Sequence, residues 1–222
     1  MQGVARSWSQ APTGGPWGDS GETHGRRFEP LETTYVALTR FVLWFESSDC
    51  YTYAHCERVA RYAAEVAFAL GLDRDEVATV RLGAYLHDVG KIRVPPDIVN
   101  KPGRLTAAEF DVMKRHPIWG LEMLDGVELP LDARASIRSH HEKCDGSGYP
   151  DGLRGDEIPL HAAIIGIADV YDALTSSRSY RPAMSGPAAM AEMHARGGWW
   201  GCDVYAAFRR AAGSPQAHDA VA

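Results

Sequence analysis

The feature that most constrains this chain is Ala84-Tyr85-Leu86-His87-Asp88-Val89-Gly90-Lys91, an apolar helical run that ends in an adjacent imidazole and carboxylate. Val77, Val80, Ala84 and His87 recur at three- and four-residue spacing, so the imidazole continues an apolar stripe and does not join the solvent face. Burying both groups at a helix end is unfavourable unless something satisfies them, and a divalent metal would. Gly90 reads as the left-handed cap that closes the helix.

Helical periodicity dominates the sequence around this run. Tyr35, Leu38, Phe41, Val42 and Phe45 form one stripe. A second helix runs from about Thr52 to Leu70, with His55 on its core face and Gly71 as its cap. Asp73 or a neighbour starts the helix that ends at His87-Asp88. Thr106 and Glu109 make a capping box for a short helix through Met113, and His116-Pro117 marks the next boundary. Leu131 to His141 is helical, Asp145 to Gly152 is a loop by its turn residues, and a long helix covers about Pro159 to Ser176. Weaker helices, Ser185–Arg196 and Asp203–Ala212, close the series. No stretch alternates with period two, so the expected fold class is all-α.

Residues 1–30, rich in Gly, Ser and Pro, read as a disordered tail or linker remnant, residues 31–212 as one domain, and 213–222 as a flexible tail. The first residues hold no apolar signal-peptide core. The longest apolar run, Ala162–Ala168, falls far short of the roughly 20 residues a membrane span needs. A net charge of -6 argues against indiscriminate binding of nucleic acid polymers. The four cysteines form no CxxC pair, which fits free thiols in a reducing cytoplasm. Cys56 and Cys144 border the candidate segments and read as small buried or loop residues.

His55, His87, Asp88, His116, His140, His141 and Asp169 all fall at helix ends or on core faces. Singly, each would pass as a satisfied core residue. Five imidazoles and two carboxylates together suit a borderline metal such as Fe, Mn, Co, Ni or Zn.

Several ordered segments resemble the HD-GYP domain. They are Asp49-x-Tyr51-Thr52-x-x-His55, Leu86-His87-Asp88-Val89-Gly90-Lys91, His116-Pro117-x-x-Gly120, His140-His141-Glu142 and Asp145-Gly146-x-Gly148-Tyr149-Pro150-x-Gly152-Leu153. Ile158-Pro159, Asp169-Val170-Tyr171-Asp172-Ala173-Leu174-Thr175 and Arg178-x-Tyr180-Arg181 extend the match, which covers roughly Leu31 to Ala212. The resemblance implies an all-helical, HD-superfamily phosphodiesterase that cleaves cyclic di-GMP to linear pGpG, with onward cleavage to GMP left open. It implies two divalent transition-metal ions, Fe or Mn, with Asp88 bridging. One ion would take His55, His87, Asp88 and Asp169, the other Asp88, His116, His140 and His141. Lys91 would contact the scissile phosphate or assist the leaving oxygen, which makes Asp88 and Lys91 the catalytic pair. Tyr149, Arg178 and Arg181 would join Lys91 in holding the dinucleotide. Asp172 is either a partner that orients a histidine or a helix-surface acid.

Cyclic di-GMP is thus the expected partner. Diguanylate cyclase or other signalling proteins at the Gly148-Tyr149-Pro150 loop, and a second copy of the chain in a homodimer, are the further ones. A non-catalytic cyclic di-GMP receptor and an HD phosphohydrolase for another cyclic dinucleotide are the alternatives. Two departures stand out. Tyr51 occupies a position where some members place a Glu for a third metal, which favours two ions. Trp200-Gly201-Cys202 replaces the usual Phe-Asp-Pro, which puts the packing of the last helix in question. The sensory or receiver domain that commonly precedes such a module has no match in residues 1–30.

Overall fold

A computed structural model describes residues 50–177 and 182–212. The Tyr35–Phe45 stripe, both tails, Arg178 and Arg181 lie outside the described residues, and so does the side chain of Tyr51.

The described residues form helices α1 (Cys50–Leu70), α2 (Arg74–Leu86), α3 (Pro96–Val99), α4 (Ala107–Met113), α5 (His116–Met123), α6 (Leu131–Ser139), α7 (Leu160–Thr175), α8 (Gly186–Ala195) and α9 (Cys202–Ala212), and no strand. The fold is all-α, as the periodicity predicts. Short 3₁₀ turns at Val89–Arg93, Gly155–Glu157 and Gly197–Trp199 join some of them.

Local chemistry fixes the boundaries. α1 closes where Leu72 N–H donates to Ala67 O at 3.1 Å and Gly71 N–H to Phe68 O at 3.0 Å, with Gly71 at φ 84°. Asp73 and Glu76 form a reciprocal capping box on α2, and Thr106 and Glu109 form another on α4. α7 is buried on almost every side, from His161 and Ala162 through Asp169 to Tyr171 and Asp172, as expected of a central helix. Val59, Ala63 and Val66 of α1 pack with Ile164, Ile167 and Ala168 of α7 and Phe208 of α9 in one core. Phe208 meets Tyr171 edge-on at 5.2 Å, so the last helix packs despite the Trp200-Gly201-Cys202 departure. Trp200 itself lies against this core and directs its indole N–H to Met193 O at 3.4 Å.

Gly90 corrects a sequence expectation. α2 ends at Leu86 with His87 as a right-handed cap, and the chain passes directly into the Val89–Arg93 turn. Gly90 is not among the described glycines with positive φ. It is needed for close approach: a Cβ there would overlap His116 O and Gly120 N, so the turn lies flush against the start of α5. Gly166 does the same for α7, where a Cβ would overlap His140 O. These two backbone contacts bring α2, α5, α6 and α7 together at one point.

Candidate metal centre

Three of the histidines are oriented by the same device. A helix leaves its last carbonyls without intrahelical donors. His87 Nδ1 donates to Ala84 O at 2.6 Å, His116 Nδ1 to Met113 O at 2.9 Å and His140 Nδ1 to Ile137 O at 2.9 Å, each to the carbonyl three residues back. Those carbonyls belong to the last turns of α2, α4 and α6. Because a carbonyl only accepts, Nδ1 carries the proton in each ring, and Nε2 is the atom turned to the common centre.

His55 reaches the same result from the second turn of α1. Its Nδ1 meets Asp172 Oδ2 at 2.7 Å, and Arg58, one turn on, grips Asp172 at 2.7 and 3.1 Å. Asp172 is thus the partner that orients a histidine, and the helix-surface alternative falls. His55 Nε2 lies 3.1 Å from Asp169 Oδ1 and 3.6 Å from Asp88 Oδ2.

Asp88 stands between two groups of donors. Its Oδ2 is 3.4 Å from His87 Nε2, and its Oδ1 is 3.3 Å from His116 Nε2. Asp88, His116, His140 and His141 form one set whose donor atoms lie within 4.8 Å of one another, and His55, His87 and Asp169 form a second. All seven residues expected at the centre are therefore brought together.

The donors fit a cation. His87 Nε2, His55 Nε2 and Asp88 Oδ1 are buried with no hydrogen-bond partner, an expensive condition for polar atoms unless a ligand satisfies them. His116 Nε2 and His140 Nε2 face each other at 3.3 Å. Burial brings His116 down to about 4, with Asp88 opposing, and burial with neighbouring His141 takes His140 well below its usual range. Both rings are neutral at pH 7, so two lone pairs point at each other. Ligands about 2.0–2.1 Å from a metal stand roughly 2.8–3.4 Å apart between octahedral and tetrahedral angles, and this spacing falls within that range.

The two sets differ in charge. Burial, and then His116, lower His141 to about 3, so the His116–His140–His141 side is neutral. On the other side, burial opposes charge, but the nearby carboxylates of Asp169 and Asp172 raise His55 above the usual histidine value. His87 is likewise raised well above it, against burial, by Asp88 and Cys56. Asp88 and Asp169 stay far below the carboxylate range despite burial, chiefly through His87 and His55 respectively.

The centre opens past His141, Lys91 and Asp169, whose side chains keep 22%, 26% and 13% exposure. Lys91 Nζ donates to Asp88 Oδ2 at 2.5 Å. The Tyr149 ring lies over His141 with centroids 4.6 Å apart and planes at 31°. Burial raises its phenol well above 10, helped by Asp169 and Asp88, so it stays neutral.

Two contributors were not singled out in the sequence. Glu142, buried behind the His140-His141 pair, accepts the backbone N–H groups of Asp151 at 2.7 Å, Gly152 at 3.1 Å and Leu153 at 3.0 Å. It ties the Tyr149 loop to the end of α6. Its acidic side chain directly before a turn-rich segment was the available signal. Arg58, three residues after His55 on one helix face, was legible only once Asp172 was seen opposite.

A family model described as HD domain matches residues 46–204. The chain is 46% identical over 173 residues to the cyclic di-GMP phosphodiesterase response regulator RpfG of Xanthomonas campestris pv. campestris, across 77% of this chain and 46% of that protein. It is 44% identical over 132 residues to 3'3'-cGAMP-specific phosphodiesterase 2 of Vibrio cholerae, across 59% of this chain and 25% of that protein. The chain thus spans less than half the length of these relatives. Among solved structures it is similar to Bd1817, an HDG"Y"P protein from Bdellovibrio bacteriovorus, with a TM-score of 0.63, 21% identity, and coverage of 81% of this chain and 63% of that one. That likeness bears on the fold.

Proposed function

Because the chain belongs to the HD domain family, we propose that it is a metal-dependent phosphodiesterase that hydrolyses cyclic di-GMP to linear pGpG at a centre of two divalent ions. The observation that supports this most strongly is the facing pair of His116 and His140 Nε2 lone pairs at 3.3 Å, beside an Asp88 carboxylate with one oxygen toward each donor set. His55, His87, Asp88 and Asp169 would hold one ion and Asp88, His116, His140 and His141 the other, with Asp88 shared. Iron or manganese suits these nitrogen and oxygen donors.

Bound ions would supply Lewis acidity and a nucleophile at neutral pH for phosphodiester cleavage. The chain's own residues do the rest. Asp172 and the carbonyls of Ala84, Met113 and Ile137 lock four rings in the Nδ1–H tautomer. Lys91 offers a partly exposed ammonium at the rim, placed to bind a phosphate oxygen or to protonate the departing one. Tyr149 offers an aromatic face for a guanine base, and Arg178 and Arg181 would bind phosphate or a guanine edge. The site of action would be the cytoplasm, and no described helix is long and apolar enough to cross a membrane.

A second substrate reading has its own support. The Vibrio cholerae relative named for 3'3'-cGAMP is nearly as similar as the one named for cyclic di-GMP, so a mixed cyclic dinucleotide is the rival substrate. Turnover of both, measured for wild type and Asp88→Ala with metal content, tests the proposal. Asp88→Ala should lose hydrolysis and metal together. A fully active Asp88→Ala protein would overturn the two-ion centre, and exclusive cleavage of the mixed dinucleotide would replace the substrate.

A further inference from the structure

Cys56 lies next to His55 on α1 and was expected to be no more than a small buried residue. It is fully buried, but its sulfur is not surrounded by apolar groups alone. Cys56 Sγ, a His87 ring nitrogen and an Asp88 carboxylate oxygen lie within 4.8 Å of one another. In that same group His87 Nε2 is buried without a hydrogen-bond partner, in a residue 0% exposed. An orphaned imidazole nitrogen and a carboxylate beside a buried sulfur make a built site for a cation, and His87 also belongs to the set with His55 and Asp169.

We propose that Cys56 is a further ligand, a thiolate donor to the ion held by His87 and Asp88. On binding, the thiol proton leaves to solvent as the sulfur–metal bond forms. Sulfur is a softer donor than imidazole nitrogen or carboxylate oxygen, so Cys56 biases this position toward thiophilic ions such as Zn²⁺, Co²⁺ or Fe²⁺ and away from Mn²⁺ and Mg²⁺. The nitrogen and oxygen set of the other ion, His116, His140, His141 and Asp88, has no such bias. The two positions of one centre therefore differ in metal preference.

The inference rests on the metal-centre reading, and the experiment separates the two. Metal-stripped protein is reconstituted with Co²⁺, and bound cobalt is quantified alongside the near-ultraviolet thiolate-to-cobalt charge-transfer band. Wild type should show the band, and Cys56→Ser should lose it at unchanged cobalt content, while Cys144→Ser and Cys202→Ser keep it. The preference for Zn²⁺ over Mn²⁺ should fall in Cys56→Ser by about tenfold or more. Bound cobalt without the band, or a band that survives Cys56→Ser, overturns the thiolate ligand and leaves the centre standing. Failure of wild type to retain cobalt overturns the centre itself. Should Cys56 variants not fold, X-ray absorption of the zinc-loaded Cys50→Ser/Cys144→Ser/Cys202→Ser protein decides on the native Cys56. A sulfur shell near about 2.3 Å is the expected result, and its absence overturns the proposal.

Discussion

Glu142→Gln is a sharp test of how the nucleotide-facing loop is held. One carboxylate oxygen takes the Asp151 and Gly152 N–H groups and the other takes that of Leu153. Glutamine keeps one acceptor and turns an NH₂ toward the third N–H, so at least one bond is lost and two donors face each other. A hydrogen bond to a charged group contributes about 1.5–3 kcal/mol. For a domain of this size about 2 kcal/mol lowers the melting temperature by roughly 4–8 °C. The loop also carries Tyr149, whose stacking on a base is worth about 1–3 kcal/mol. Cyclic dinucleotide affinity should fall on the order of tenfold, while metal content, fixed by ligands on the helices, stays the same. Circular dichroism melting, calorimetric nucleotide binding and elemental analysis on one preparation measure all three. A Glu142→Gln protein as stable and as tight-binding as wild type would refute the clamp, and one that lost its metal would show that the loop and the centre are not independent.

Asp172→Ala removes the acceptor that fixes the His55 tautomer and leaves Arg58 without its carboxylate, so metal affinity should drop by about 10–100-fold; a metal titration checks this, and unchanged affinity would remove Asp172 from the centre. Gly166→Ala should destabilise the protein by about 1–3 kcal/mol through overlap with His140 O, read by denaturant unfolding; a neutral result would mean that α7 does not need its close approach to α6. Metal binding should release protons near neutral pH, because His55 and His87 have raised pKa values and give up protons on ligation. Affinity for that ion should therefore climb with pH through these values, while the ion at His116 and His141, lowered to about 4 and 3, should change little between about pH 6 and 8. Calorimetry in two buffers of different ionisation heat tests it, and buffer-independent heats would contradict it.

Most of the described helices and the seven candidate ligands were legible in the sequence because both leave local marks. Apolar spacing, the Asp73 and Thr106 caps and histidines at helix ends are properties of short segments. What escaped depends on distant partners. Gly90 fitted a helix cap by residue type, yet its position is set by the backbone of His116 and Gly120. Asp172 could not be decided until His55, 117 residues away, was found beside it. Glu142 looked like one letter of a motif, because its three bonds go to backbone groups, which no side-chain pattern reveals. Cys56 reads as a small buried residue, since a cysteine on a core face looks the same whether its neighbours are leucines or an orphaned histidine nitrogen.

The central claim, hydrolysis at a two-ion centre, is tested most directly by assaying cyclic di-GMP turnover in protein purified without oxygen, with bound metal quantified in the same sample. The account predicts conversion to linear pGpG with about two ions per chain, lost on chelation and restored by metal. Full metal occupancy with bound nucleotide and no turnover would contradict it and make the chain a receptor.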